Sequence, residues 1–318
     1  MGYVKPSILR LILTVFLSAG LFAQDQTLYI LHTNNTNGAL ENCYCPDHPF
    51  GSVEKRTIFV KDFINEHPNT VLVDAGDFFT MTHQSYKDSL MAEAYALLPY
   101  DAILPGDQEL TMDGDKIDPL LGLMNTKIVG TNITMDGVNS LVSSHLVDRG
   151  GFSIAIMGIM DPYAVKYYSE ELKEKIELSD PVKAVEAEME ILKDKADIFI
   201  LLTHQGADLD EAFAEKVKGL HVIVGSHSQS TMDEPKEVNG TLIVQAGKEG
   251  YYVGTVALIL NKETIEAKSG RIDTMTFDMP DDDRVMEMIH EYESKTGKIN
   301  RQKLKMKEEK KWINPLKH

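Results

Sequence analysis

The feature that most constrains this chain is a recurring pattern: a short apolar segment ends in a glycine or polar turn that carries a side chain able to bind a metal ion. The clearest copy is Val71-Leu-Val-Asp74-Ala-Gly-Asp77. A short run of β-branched and aliphatic residues bounded by turn residues indicates a buried strand. A glycine lets the backbone turn, so we expect Asp77 to project beyond the strand. The alternative is that Asp77 only caps the turn or helix that follows.

Similar endings follow other apolar segments. Residues 27–31, 100–104, 197–202 and 220–224 each lead into a polar or glycine-containing turn. The side chains that these turns present are Asn35, Asn37, Asp107, His204, His227 and Gln229. Loops at the ends of strands commonly hold the chemistry in layered α/β domains. Several such endings in one chain therefore predict a shared binding site.

Helical patterns separate these apolar segments. They cover residues 52–67, 89–98, 180–195 and 281–295. Residues 141–147 and 152–158 predict two paired strands joined by a turn at 148–151. The alternation of strands and helices predicts an α/β (α+β) fold. We expect one main domain over residues 24–278, followed by a C-terminal helix and a basic tail over residues 279–318.

The N-terminal segment, residues 1–23, is typical of a secretory signal. Lys5 and Arg10 precede an apolar run from Leu11 to Phe22. We therefore expect cleavage of this signal and export to the periplasm or the extracellular space. The run is too short for a spanning helix, so no transmembrane anchor is expected, although a retained anchor is the alternative.

The net charge of −17 at pH 7 limits the partners of the chain. Such a surface repels phosphate backbones, which argues against a nucleic-acid partner. A small anionic substrate or ligand would need a local cation, most simply a metal ion. The sequence does not exclude a protein partner.

The two cysteines, Cys43 and Cys45, are separated by one residue. This spacing matches neither a haem attachment pattern nor a paired zinc site. In an oxidising compartment the two residues could form a local disulfide, remain free thiols, or join His48 as ligands of a soft metal.

The turns and the first helix, in chain order, resemble the motifs of one enzyme family. They are His32-Thr-Asn-Asn-Thr-Asn-Gly38, Gly51-Ser-Val-Glu-Lys-Arg56, Asp74-Ala-Gly-Asp77, Gly106-Asp-Gln-Glu109, Leu201-Leu-Thr-His204 and Gly225-Ser-His-Ser-Gln229. The resemblance is to the calcineurin-like metallophosphoesterases, in particular their exported 5′-nucleotidase branch, and covers roughly residues 27–295. It implies a four-layer α/β/β/α sandwich of the metallophosphatase type with two metal ions at one edge.

The resemblance also implies roles for individual residues. Asp77 matches the carboxylate that bridges both metals, His204 and His227 match two imidazole ligands of one site, and Gln229 matches the final ligand. Five of the site positions depart from the family pattern. Asp107 replaces Asn, Asn35 replaces Asp, Asn37 replaces His, and Gln108 replaces the transition-state His. Thr111 stands where the family has the Asp that supports that His.

These departures predict a reduced metal site. Asp77, Asp107, His204 and His227 form a normal ligand set for Zn²⁺, Mn²⁺ or Fe²⁺. The other site would keep mainly the amides of Asn35, Asn37 and Gln229, and amides bind transition metals weakly. We therefore expect one divalent transition metal, with the second site empty, weak or filled by a hard ion.

Three functions fit this pattern. The first is an exported hydrolase of phosphate esters with a single-metal site, in which Gln108 and Glu109 are the candidate catalytic residues. The second is an inactive relative that binds a ligand, a metal or a protein at the same edge. The third is a metal-binding or redox accessory protein that uses Cys43, Cys45 and His48.

Overall fold

The structure is a computed structural model that describes residues 26–42, 44, 50–166, 168–261, 264–300 and 303. The helices are α1 (Val53–Glu66), α2 (Ser85–Tyr95), α3 (Asp107–Leu110), α4 (Gly114–Leu123), α5 (Glu170–Lys173), α6 (Pro181–Leu192), α7 (Ala207–Lys216) and α8 (Asp283–Thr296). The strands are β1 (Gln26–Thr33), β2 (Thr70–Asp74), β3 (Ala102–Ile103), β4 (Lys127–Val129), β5 (Ile133–Met135), β6 (Leu141–Val142), β7 (Ser144–Arg149), β8 (Phe152–Met160), β9 (Ile176–Leu178), β10 (Ile198–His204), β11 (Val222–Val224), β12 (Lys236–Val238), β13 (Thr241–Val244), β14 (Tyr252–Leu260) and β15 (Ile265–Thr274).

Two large sheets form the centre of the fold. The seven-stranded sheet has the order β15-β14-β1-β2-β3-β4-β6, and the six-stranded sheet has the order β12-β13-β11-β10-β8-β7. In the first sheet β1, β2, β3, β4 and β6 run parallel, and in the second β8, β10, β11 and β13 do. Strands β5 and β9 form a separate antiparallel pair.

The side chains of β10 show how the layers stack. Ile198, Ile200 and Leu202 join a core that also holds residues of the seven-stranded sheet and of α1, α2 and α8. Phe199 and Leu201 point the other way and join a second core with residues of α6 and α7. Successive side chains of a strand face opposite sides, so the six-stranded sheet is buried on both faces. The predicted four-layer α/β/β/α arrangement is confirmed.

One predicted strand is divided between the two sheets. Residues 141–147 were expected to form a single strand, but Leu141–Val142 pairs with β4 in the seven-stranded sheet. Ser144–Arg149 then pairs with β8 in the six-stranded sheet. The chain passes from one sheet to the other at Ser143, and both pieces have the residue types of a strand, so the sequence pattern does not reveal the change.

The C-terminal helix α8 closes the outer helical layer. Asp282 caps it by accepting hydrogen bonds from the backbone N–H groups of Arg284 and Val285. The helix packs against α1 and α2, and the ring of Tyr292 stacks on that of Tyr86 with centroids 6.2 Å apart. Among the helices of the described residues, none combines the length and apolar character that a membrane crossing needs.

Parallel pairing brings the predicted site loops to one edge of each sheet. Thr33 pairs with Asp74, and Asp74 pairs with Ile103, so β1, β2 and β3 end at the same level. In the second sheet β10 ends at His204 beside the end of β11. The turns that carry the candidate ligands therefore begin side by side.

Candidate functional site

Two imidazoles and two carboxylates meet at this edge, as the sequence predicts. Ligand atoms of Asp107, His204 and His227 all lie within 4.8 Å of one another. The Asp107 Oδ1 atom is 2.8 Å from His204 Nε2 and 3.4 Å from His227 Nδ1. Asp77 Oδ2 lies 3.4 Å from the same His204 nitrogen. Residues from four separate loops or strand ends thus share one small volume.

His204 is oriented for metal binding. The residue is fully buried, and its Nδ1 atom lies 2.9 Å from the carbonyl oxygen of Ala75. Nδ1–H donates to that carbonyl, which leaves Nε2 directed at the two aspartates. Burial disfavours the charged ring, but the Asp77 charge and the hydrogen bond to Asp107 outweigh it and raise the pKa of His204 well above its usual value. A bound cation would take the place of the Nε2 proton.

The distances agree with a tetrahedral ion. Ligand atoms about 2.0–2.1 Å from a tetrahedral ion are separated from one another by about 3.3 Å. Two of the distances, from Asp107 to His227 and from Asp77 to His204, are 3.4 Å. The third, 2.8 Å from Asp107 to His204, is a hydrogen-bond length. The residues present therefore fit one ion with nitrogen and oxygen ligands.

Glu109 holds the loop that carries Asp77. Its two oxygens accept hydrogen bonds from the backbone N–H groups of Asp77, Phe78, Phe79 and Gly106, at 2.9, 3.1, 2.8 and 2.8 Å. Its side chain is fully buried, and burial, aided by the nearby Asp77 charge, raises its pKa. This placement supports a positioning role for Glu109, in contrast to the catalytic role considered from the sequence.

The candidate ligands also stand out by their backbone conformation. Asn35, Asn37, Asp77, His227 and Gln229 all have positive φ, between 47° and 72°. Non-glycine residues rarely adopt this region, and they do so mainly where the surrounding structure enforces it, often at binding sites. Five of the ten such residues in the described part of the chain are candidate ligands.

The amide of Asn35 faces the carboxylate of Asp77. Its Nδ2 atom donates to Asp77 Oδ2 over 3.0 Å. Its Oδ1 atom accepts from Asn34 Nδ2 and from Ser226 Oγ, both at 2.9 Å. These partners fix the orientation of the amide, because each of its polar groups meets a complementary one. Asn35 thus presents N–H, a hydrogen-bond donor, toward Asp77.

Asn37 and Gln108 are bonded to each other. Gln108 Nε2 donates to Asn37 Oδ1 over 2.7 Å, and the Gln108 backbone N–H donates to Asp77 Oδ1 over 3.2 Å. The Oε1 atom of Gln108 is buried with no partner among the described residues. Thr111 Oγ1 lies 2.6 Å from Nε2 of His83. The family's His–Asp pair is thus represented by uncharged side chains.

Gln229 lies two residues beyond His227 and is half-buried. Among the described contacts, no hydrogen bond joins its side chain to Asp77 or Asp107. Cys43, Cys45 and His48 lie outside the described residues.

Three further residues at the site escaped prediction from the sequence. Asn34 and Ser226 hold the Asn35 amide, and the hydroxyl of Tyr168 donates to the backbone carbonyl of Asp107 over 2.6 Å. The first two adjoin candidate ligands, so their position in the motif was a usable signal. Tyr168 is 61 residues away along the chain and gave none.

A buried hydrogen-bond network connects the ends of β1 and β2 next to the site. Arg56 donates to Thr36 Oγ1 over 2.8 Å and lies 5.2 Å from the centroid of the Tyr95 ring. The Tyr95 hydroxyl donates to Asp74 Oδ2 over 3.0 Å, and Thr33 Oγ1 donates to the same oxygen over 2.5 Å. The cation and the carboxylate compensate each other away from water, so the ends of β1 and β2 are tied together.

Comparison with known proteins shows what the chain is similar to. No family model matches the sequence. The 5′-nucleotidase of Bos taurus is 26% identical over 332 residues, which are 89% of this chain and 55% of that protein. The 5′-nucleotidase precursor of Thermus thermophilus has a similar structure, with a TM-score of 0.76 and 23% identity over 85% of this chain and 59% of its own. The chain is thus similar in sequence to 5′-nucleotidases and in fold to a 5′-nucleotidase precursor.

A second solved structure has nearly the extent of this chain. The calcineurin-like phosphoesterase YfkN of Bacillus subtilis gives a TM-score of 0.72 and 19% identity over 86% of this chain and 98% of its own. These likenesses show the metallophosphatase fold and confirm the resemblance predicted from the motifs. The chain spans about half the length of the curated 5′-nucleotidases it matches.

Proposed function

We propose that this chain is an exported, metal-dependent hydrolase of small phosphate esters that holds one divalent ion tightly. The observation that carries the proposal is the convergence of Asp107, His204 and His227 within 4.8 Å, next to Asp77, in a metallophosphatase fold. The nucleotidase names of its relatives support phosphate esters as the substrate class.

Asp77, Asp107, His204 and His227 would hold the ion, and Zn²⁺, Mn²⁺ and Fe²⁺ suit this ligand set. When bound, such an ion polarises a phosphoryl oxygen and makes a neighbouring water more acidic. The chain itself supplies orientation. Ala75 fixes the tautomer of His204, and Glu109 holds the backbone of the loop that carries Asp77.

The Asn35 amide supports a single tight ion. Its Nδ2–H group points at Asp77 Oδ2, the same oxygen that faces His204, and so occupies a lone pair that this oxygen would need to bridge to a second ion. The N–H group repels a cation. Its hydrogen bond also weakens the Asp77 carboxylate as a metal ligand, so a second ion would bind less tightly. Turnover would then be slow, because Gln108 also lacks the positive charge of a protonated His at the developing phosphoryl charge.

The test is hydrolysis of an aryl phosphate and of a cyclic phosphodiester in the presence of Mn²⁺, Zn²⁺ or Fe²⁺. We expect His204→Ala and His227→Ala to reduce kcat/KM by at least about 10²-fold, since each removes a ligand of the ion. His290→Ala, which removes an exposed imidazole from α8, is the matched control and should leave the rate unchanged.

A specific observation favours a second candidate, a binding protein without turnover. Asn35 and Gln108 put neutral amides at two positions where the resemblance implies a ligand and a proton donor. Metal binding that depends on His204, with no hydrolysis of either substrate by any of the three ions, would favour this candidate. Unchanged metal content after Cys43→Ser and Cys45→Ser would argue against the cysteine-based accessory function.

Export is proposed from residues 1–23, which lie outside the described part of the chain. Sequencing the N-terminus of the mature protein tests it. A mature chain that begins close to residue 24 is expected, and a chain that retains Met1 would contradict cleavage.

A further inference from the structure

A cavity of about 350 Å³ lies beside the loop after β1 that carries Asn37. It is lined by Asn37 from the loop after β1, by Lys87 of α2, by Tyr251, and by Tyr292 and Lys298 at the end of α8. Its volume is in the range of small-ligand pockets, about 300–1,000 Å³. We call it the lysine cavity.

Hydrogen bonds connect the wall of the lysine cavity to the loops of the proposed site. Asn37 lines its wall and accepts a hydrogen bond from Gln108, whose backbone N–H donates to Asp77. Glu249, which also lines the cavity, donates its backbone N–H to the carbonyl of Asn35 over 2.7 Å. A ligand in the cavity would therefore touch the same loops that carry the ligands of the ion.

The acidic residues of the cavity are already compensated. Glu41 Oε2 lies 3.0 Å from Nζ of the buried Lys303, which also contacts Glu293 at 2.8 Å. Glu249 accepts a hydrogen bond from the Tyr251 hydroxyl and lies 3.9 Å from Nζ of Lys248.

The two lysines are compensated less well. In the described part of the chain neither Lys87 nor Lys298 has a carboxylate within ion-pair distance. Lys298 Nζ lies 3.4 Å from the amide oxygen of Gln84, and Lys87 Nζ lies 5.7 Å from the centroid of the Tyr292 ring. Burial lowers the pKa of Lys87 more than the more distant carboxylates raise it, and the charge of Lys298 adds to the lowering. Two ammonium groups that affect each other, and that make no ion-pair contact with a carboxylate among the described residues, favour an anionic ligand.

We propose that the lysine cavity binds a second phosphate group of the substrate through Lys87 and Lys298, while the ester phosphate lies at the metal centre. The inference rests on the proposed function and narrows it, because it selects phosphate esters that carry a second phosphate. The strongly acidic chain, with a net charge of −17, makes such a local pair of cations necessary for binding a polyanion.

The binding test is calorimetric titration with inorganic pyrophosphate, which needs no turnover. Lys87→Met and Lys298→Met keep most of the apolar stem and remove the charge. Each is expected to weaken binding about tenfold, the usual effect of losing one charge-assisted hydrogen bond. Lys193→Met, which removes an exposed lysine just beyond the end of α6, controls for net charge and should bind as wild type does.

The kinetic test compares an aryl phosphate with a hexose bisphosphate. The same variants should raise KM for the bisphosphate about tenfold and leave kcat/KM for the aryl phosphate unchanged, since it lacks a second anion. Equal pyrophosphate affinity in wild type and both lysine variants, or no binding by wild type, would overturn the inference. Pyrophosphate binding that depends on the lysines, without hydrolysis of either substrate, would uphold the cavity and reject the hydrolase.

Discussion

Substituting Asn35 by Asp tests whether one amide keeps the second ion out. In Asn35→Asp, a carboxylate would replace the N–H group that lies 3.0 Å from Asp77 Oδ2. At an effective dielectric constant of about 20, two charges at that separation repel by about 5 kcal/mol. Protonating one of the two carboxyls avoids this repulsion. At pH 7, about three units above the normal pKa of Asp, that protonation costs about 4 kcal/mol, which sets the upper limit of the destabilisation. The donors Asn34 and Ser226 remain in place to bind the new side chain.

Two measurements follow from this value. Urea unfolding of the metal-free protein should show a loss of stability of about 4 kcal/mol at pH 7 and a smaller loss at pH 5, where protonation costs less. Added Mn²⁺ or Zn²⁺ should restore the stability, and titration should find two ions per chain instead of one.

The matched control is Asn125→Asp. Asn125 is exposed and has φ of 52°, close to the 47° of Asn35, so it reproduces the backbone effect of the substitution without the buried carboxylate. It should change neither stability nor stoichiometry. The reasoning is refuted if Asn35→Asp retains wild-type stability without metal and still binds one ion.

Three further results are expected. Glu109→Gln places an NH₂ group against backbone donors in a buried site, so unfolding in urea should show a loss of about 3 kcal/mol, and wild-type stability would contradict the positioning role. Burial lowers the pKa of His32 to about 3, from 6.5. Below pH 6.5 the unfolded chain therefore binds a proton that the folded chain does not, and the free energy of unfolding falls with acidification. The stability of wild type relative to His32→Leu should drop by about 2 kcal/mol between pH 6.5 and 5. A constant difference would contradict the burial of a neutral His32. Gln108→His should raise kcat on an aryl phosphate about 10²-fold by restoring a donor to the phosphoryl oxygens, and an unchanged kcat would mean that this position does not contact them.

Much of the fold was predictable because apolar periodicity and turn residues are local signals. Residues 180–195 were expected to form a helix, and Asp180 caps that helix by accepting hydrogen bonds from the backbone N–H groups of Val182 and Lys183. The helix predicted over residues 89–98 instead covers Ser85–Tyr95.

The site was predictable as a set of residues, since parallel strands bring their ends together, but its hydrogen-bond pattern was not. The sequence Asn34-Asn35 does not indicate that the Asn34 amide donates a hydrogen bond to the Asn35 amide. Nor does it indicate that Asn35 donates its N–H to Asp77. These orientations depend on Ser226, 191 residues away. The lysine cavity likewise combines Lys87 with Lys298, which only the packing of α8 on α2 brings together.

Glu109 has a consequence for how such a site can change over time. It joins the turns after β2 and β3 through main-chain N–H groups alone, so its bonds are indifferent to which side chains stand at positions 77 and 107. Mutation can therefore exchange one coordinating group for another while the cradle that presents them keeps its shape. Proteins that keep the hydrogen bonds of Glu109 can therefore lose an ion, bind a different one or lose catalytic activity during evolution while retaining the same fold.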